Sequence, residues 1–301
     1  MSETAGSIGG GEEQELVLPT IRRSEVLLIL VQIGILASHF WKYEFFAFAW
    51  SIYQQTPMDI GFFPPAMRSA SVMGWLFVAV VVSTAVAIVA GPLHMRNLRL
   101  GAVVIQWLAI AGLCLHQATY NDATFTTMWW TSTFSLWLAG RLRGGEIDEP
   151  AVLRRAAFLA GCIVSMILLG GAVGKWTADY WSGQVLYDIY FVDRDFWTFN
   201  QLRSWYEPET QRWIAIYYSR MVVLTETVFG LTLWMLPPRW SATAGMLLLS
   251  SIAIFSNFLL FSVMACLIAM MSAGLFVRPE TIEDGRLFGR RPKLLIGWFA
   301  R

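Results

Sequence analysis

The sequence predicts an all-α integral membrane protein: a polytopic helical bundle of about eight transmembrane helices with the N-terminus and the C-terminus on the cytoplasmic side. Three observations carry this expectation: the composition, the length of the apolar runs, and the placement of basic residues between them. Of 301 residues, 56% are hydrophobic, 15% aromatic and 14% charged, against about 25% charged in an ordinary soluble domain. So little charge cannot cover so much apolar surface in water. Several runs of about 18 or more residues carry little or no charge, long enough to cross a hydrocarbon layer of about 30 Å at 1.5 Å per residue.

The chain opens on an acidic, glycine-rich stretch with Glu3, Glu12, Glu13 and Glu15 and no basic residue. It lacks the positive start and apolar core of a signal peptide, so 1–20 reads as a disordered acidic tail. A helical transmembrane domain then occupies 21–277. Apolar runs at 24–41, 69–91, 99–117, 123–140, 155–174 and 213–236 each cross once. The stretch 241–277 would measure about 55 Å as one helix. Two shorter helices broken near Ser256 and Asn257 fit better, giving eight spans, with seven as the alternative. The basic tail 278–301, with Arg278, Arg286, Arg290, Arg291, Lys293 and Arg301, favours the second crossing, because short cytoplasmic segments collect Lys and Arg.

The same rule orients the whole bundle. Arg22 and Arg23, Arg96 and Arg99, Arg141, Arg143, Arg154 and Arg155, and Arg239 fall on one side, which is the cytoplasmic side of a cell (inner) membrane. The outer side receives 42–68, the turn around Tyr120–Asp122, and the net acidic loop 176–212. Trp41, Tyr43, Trp50, Tyr53, Trp176, Tyr180, Trp181, Trp205, Tyr206 and Trp213 crowd the outer boundaries as an aromatic belt. The expected partners are the bilayer and other membrane-protein subunits. A net charge of +1 gives no footprint for nucleic acid. Cys114, Cys162 and Cys266 lie singly in apolar runs and read as small buried hydrophobes.

An ionisable side chain inside the membrane needs a partner or a task. Glu226 sits in the middle of the sixth span, and Arg220, six residues earlier, lies on a different face of the same helix. Glu226 should therefore find its partner on another helix, while Arg220 should snorkel outward or pair with a carboxylate of the outer loop. His39 and His116 fall at outer helix ends, where water can hold them; His94 falls in a cytoplasmic loop. No zinc or haem ligand set and no phosphate loop is present.

The segment 170–183, Gly-Gly-Ala-Val-Gly-Lys-Trp-Thr-Ala-Asp-Tyr-Trp-Ser-Gly, is the most suggestive. Its glycines let a neighbouring helix or a planar ligand approach the backbone. Lys175 stands about 20 residues, or about 30 Å, from Arg155, at the outer interface. In a pocket walled by aromatics its ammonium form would be disfavoured, leaving a free amine able to act as general base. The bland reading is a lysine snorkelling among interfacial tryptophans.

At this segment the chain resembles the vitamin K-dependent γ-carboxylase family and its microbial relatives with the horizontally transferred transmembrane (HTTM) domain. The matching residues are Ala172-Val173-Gly174-Lys175, Ala178-Asp179, Tyr180-Trp181 and Gly183, supported by Leu153-Arg154-Arg155, Thr225-Glu226 and Ile254-Phe255-Ser256. The resemblance implies binding or oxidation of a reduced naphthoquinone on the extracytoplasmic side, with Lys175 as the base, Glu226 beside it in the chemistry, and Gly174, Trp176, Asp179, Trp181, Gly183 and His116 shaping the ligand site. Two departures stand out. Where the family has a histidine in an Asn-Asn-His-like turn, this chain reads Tyr120-Asn121-Asp122-Ala123, with His116 out of register. The large extracytoplasmic domain of true carboxylases has no counterpart, so carboxylation itself is not expected. The alternative function is a non-catalytic membrane subunit or scaffold of a larger complex.

Overall fold

A computed structural model describes residues 22–55, 61–144, 147–193, 196–256 and 258–278, and no strand occurs among them. The expected acidic tail at 1–20, and the basic tail beyond Arg278, lie outside the described residues. Helices α1 (Arg23–Trp41) and α2 (Tyr43–Gln55) are followed by α3 (Ala70–Ala90), α4 (Arg96–Leu115), α5 (Ala123–Leu142) and α6 (Glu149–Val173). Short helices α7 (Ala178–Trp181) and α8 (Gln184–Tyr187), a π-helical turn and α9 (Trp197–Trp205) lead into α10 (Pro208–Thr232). The chain continues through α11 (Pro238–Phe255), α12 (Phe261–Met271) and α13 (Ala273–Phe276).

Local chemistry sets several of these boundaries. Asp122 and Asp148 cap α5 and α6, accepting from the backbone N–H groups of Thr124 at 2.7 Å and Ala151 at 3.0 Å. Proline stands in the first turn of α6, α10 and α11, where its missing N–H has no helical partner to lose. The expected break in 241–277 is present: α11 ends at Phe255, Phe258 takes a left-handed φ of 61°, and α12 begins at Phe261. Asn257 lies outside the described residues.

Among the described helices five are long and apolar enough to cross a membrane: α1, α3, α4, α6 and the stretch Pro208–Met235. Helix α5 spans 20 residues, yet its threonines and serines lower its hydropathy. Those hydroxyls bond largely to its own backbone. Thr127, Thr131 and Thr133 each donate to the carbonyl four residues back, at 2.6–2.9 Å, so most of its hydroxyls are met within the helix as it sits inside the bundle, Ser135 Oγ being the exception. Helix α1 lies against α3, α5 and α12, while α6 carries α10, α11 and α13. Gly34 lets α1 and α12 touch, because a side chain there would overlap Ala269 and stand 3.1 Å from the Ala265 carbonyl.

The interior is more polar than the sequence reading anticipated. Gln106 Nε2 donates to Gln32 Oε1 and to Thr84 Oγ1 at 2.6 Å each, joining α4, α1 and α3, and all three side chains are fully buried. One turn-pair away along α1, His39 Nε2 lies 3.1 Å from the Phe77 carbonyl. The outward faces are apolar instead, with Trp75, Val78, Val82 and Val89 exposed on α3 and Ile105, Leu108 and Leu115 on α4. A polar inside under an apolar outside suits a hydrocarbon surround, where every polar group must be met within the protein.

Candidate functional site

Helix α6 ends in small residues, with Gly174 as its C-cap, and Lys175 is the next residue. The chain turns there, the Lys175 N–H donating to the Ala172 carbonyl at 2.8 Å. It re-enters a helix at α7, whose cap is Thr177, with Oγ1 accepting from the Tyr180 N–H at 3.3 Å. Gly183 closes this excursion in a left-handed conformation, φ 79°. A Cβ at Gly183 would stand 2.6 Å from both Cα and N of Ile216, so only glycine lets the turn press against α10. Ser219 Oγ donates to the Tyr180 carbonyl, and Arg220 Nε donates to the Trp181 carbonyl at 3.2 Å. Helix α10 thus holds α7 by its backbone.

At the centre, Lys175 Nζ donates to both oxygens of Glu226, at 2.5 and 2.6 Å. The Glu226 side chain is 10% exposed and that of Lys175 24%. Gly171 makes room for the pair: a Cβ there would lie 3.4 Å from Glu226 Oε2. Trp176 and Trp181 stack beside it, ring centres 5.1 Å apart and planes 19° from parallel. Trp176 is fixed by its Nε1–H, which donates to Thr227 Oγ1 at 3.1 Å. Tyr180 lies near enough to Glu226 that burial, then the carboxylate's charge, raise its hydroxyl pKa above the ordinary value.

The expectation of a partner for Glu226 on another helix is met by Lys175. One detail of the sequence reading, the free amine at Lys175, is corrected. Glu226 lies level with the last turns of α6, beside Gly171 and Lys175, and residues 208–225, about 27 Å of helix, run on past the end of α6 alongside α7, α8 and α9. Arg220 is exposed, in keeping with the outward-snorkelling alternative, and its guanidinium sits 5.6 Å over the Trp181 ring while its Nε holds the Trp181 carbonyl. Lys175 is not a free amine. An ammonium donating to both oxygens of a carboxylate has no lone pair to offer, so a base at this site must be the carboxylate or the pair acting together.

Of the other expected site residues, Gly174 adjoins Lys175 and the stacked Trp176 and Trp181 stand beside the pair, whereas Gly183 lies against Ile216, ten residues or about 15 Å of helix from Glu226, and does not line the same spot. Asp179 is exposed in the first turn of α7. His116 stands apart, and water does not hold it. Fully buried just past α4, it accepts from the Ala118 N–H at Nδ1 (3.2 Å), which leaves Nε2–H to donate to the Ser69 carbonyl at 3.1 Å. Its ring neighbour is Tyr53, with centres 5.9 Å apart. Burial lowers its pKa, against the opposing pull of the Ser69 carbonyl. Among the described residues no group of three or more His, Cys, Asp or Glu could hold a metal ion.

The sequence reading overlooked Thr227 and Ser219 as supports of this site; Gly171, among the glycines expected to let a neighbouring helix approach, is the one that makes room for Glu226. The one signal that could have found the first of them is the polar run Thr225-Glu226-Thr227 inside an apolar span. Comparison of the chain with family models, with curated proteins and with solved structures returns no match.

Proposed function

We propose that this chain is a multi-pass protein of the cytoplasmic (inner) membrane, crossing it eight times with both termini inside, and that its outer rim binds the head of a reduced naphthoquinone at the Lys175–Glu226 pair. Helices α1, α3, α4, α5, α6, α10 and α11, and α12 with α13, would be the eight crossings; seven follow if 241–277 crosses only once. The supporting observation is an ion pair, its lysine side chain partly exposed, beside an uncovered stretch of α6. A Cβ built on Gly170 meets nothing within 4 Å, and one on Gly174 meets only the Gly171 carbonyl at 3.8 Å. A flat ring can therefore approach along the glycine face of α6, with the stacked Trp176 and Trp181 beside it and charged groups at its edge.

Those residues suit a dihydroxy-aromatic ligand. A reduced naphthoquinone would supply a dissociable hydroxyl and two reducing electrons. Glu226, as carboxylate, is the group able to take the hydroxyl proton, and Lys175 stays an ammonium that offsets the negative charge left behind. This division of labour replaces the free lysine base, and it needs no histidine, in keeping with His116 being committed to Ser69 and Ala118. The resemblance of 172–183 to the γ-carboxylase and HTTM proteins agrees with this choice of ligand.

The test is titration of the purified protein in nanodiscs with a short-chain naphthoquinol, read by tryptophan fluorescence and by ultraviolet difference spectra. Saturable binding should weaken at least about tenfold in Glu226→Gln, since a hydrogen bond to a charged group contributes about 1.5–3 kcal/mol, and should lose its fluorescence component in Trp181→Leu. Binding that is absent, or equal in both variants, defeats the reading. The second reading, a non-catalytic subunit of a membrane complex, would then stand, because the same ion pair ties α6 to α10 whether or not a ligand binds.

A further inference from the structure

The opposite end of the bundle, where α1, α4 and α6 begin, gathers guanidinium groups that the described residues only partly match. Arg22 and Glu25 are three residues apart and share a face at the start of α1; Arg96 and Arg99 stand in the same relation on α4. Arg99 is only 2% exposed. Its Nη2 lies 3.8 Å from Glu25 Oε1, too far for a hydrogen bond. Nη1 of Arg99 and Nη1 of Arg22 are both buried without a hydrogen-bond partner. The next carboxylate, Glu149, is committed elsewhere, its Oε1 accepting from the N–H and hydroxyl of Ser24 at 2.9 Å each. Among the described residues Arg96 reaches the exposed Gly144 carbonyl, at 3.3 Å.

Among the described residues Glu25 thus stands near Arg99 and shares a helix face with Arg22, and each of these two guanidinium groups keeps an unmet donor. A buried charge of this kind needs a counter-charge and hydrogen-bond acceptors. A guanidinium fork matches the paired oxygens of a phosphate. The cluster also sits at helix ends that carry the basic residues, the level at which anionic headgroups lie. Arg22 and Arg96 are half-buried, so part of each side chain reaches the surface on which a headgroup would lie. We propose that Arg22, Arg96 and Arg99 bind the phosphodiester headgroup of an anionic phospholipid, which accepts hydrogen bonds from the unmet guanidinium donors. This site is independent of the quinol reading.

The experiment is native mass spectrometry of the full chain released from micelles containing equal phosphatidylglycerol and phosphatidylcholine, with thermal unfolding followed in parallel. The wild type should retain phosphatidylglycerol in preference, and Arg22→Gln should lower that preference about fivefold, the contribution of one basic residue at a membrane surface. Arg22 is chosen because its half-buried position makes loss of the fold a small risk; Arg99→Gln, checked for folding by circular dichroism, should lower it at least as far. Equal retention of the two lipids overturns the proposal, as does wild-type preference in Arg22→Gln. If inorganic phosphate added to phosphatidylcholine nanodiscs raises the unfolding temperature as much as phosphatidylglycerol does, the ligand is a free anion and the lipid assignment is overturned.

Discussion

Replacing Glu226 by leucine and Lys175 by methionine, singly and together, measures the one interaction on which the candidate site is built. With side chains 10% and 24% exposed, the pair lies between two regimes. An exposed ion pair contributes about 0–1 kcal/mol, whereas breaking a buried one costs about 3–5 kcal/mol because a charge is stranded. Each single variant should therefore lose about 2 kcal/mol of stability. The double variant strands nothing, since both chains are apolar and of similar size to those they replace, and it should cost no more than either single change. The expected coupling energy is about 2 kcal/mol, well above the ~0.5 kcal/mol within which independent sites add. The assay is reversible unfolding in mixed micelles, followed by tryptophan fluorescence. Additivity of the two single changes would refute the arrangement at 2.5 Å as an energetic unit, and with it the assignment of Glu226 and Lys175 to a common proton-handling role.

Gly183→Ala should destabilise by about 3 kcal/mol, about 1 from the left-handed backbone and the rest from overlap with the Ile216 backbone; an unchanged unfolding temperature, with the near-ultraviolet signal of the Trp176–Trp181 stack intact, would contradict the close approach. His116 gives a pH dependence of defined sign. Its pKa is lowered from 6.5 in the folded chain, so below about pH 6.5 the unfolded chain binds a proton more readily and stability falls as the pH drops. His116→Asn should flatten that slope between pH 7 and the folded pKa, and an identical slope in the variant would show that another group is responsible.

Most of the helical segments are legible along the chain because each is a local matter. The apolar runs, the capping aspartates at 122 and 148 and the prolines that open α10 and α11 act within one turn of the residues they organise. The break after Phe255 could be anticipated from length alone. Helix α5 shows where composition falls short. Its hydroxyls make it look poorly apolar, and only their bonds to its own carbonyls show why it can be a core helix.

The site divides along the same line. The lysine at the end of a glycine-rich helix, with tryptophans around it, stands out in the sequence because small, basic and aromatic residues rarely meet at one boundary. The sequence alone thus determined the helical class, the order of the segments and the residues worth watching. Only the tertiary structure decided what those residues do to each other. Lys175 and Glu226 are 51 residues apart, as Gln32 and Gln106 are 74, and no periodicity within a helix encodes which face of a distant helix will oppose it. That choice turned an expected free amine into half of an ion pair, because the charge state of a partly buried group is set by its nearest neighbours in space.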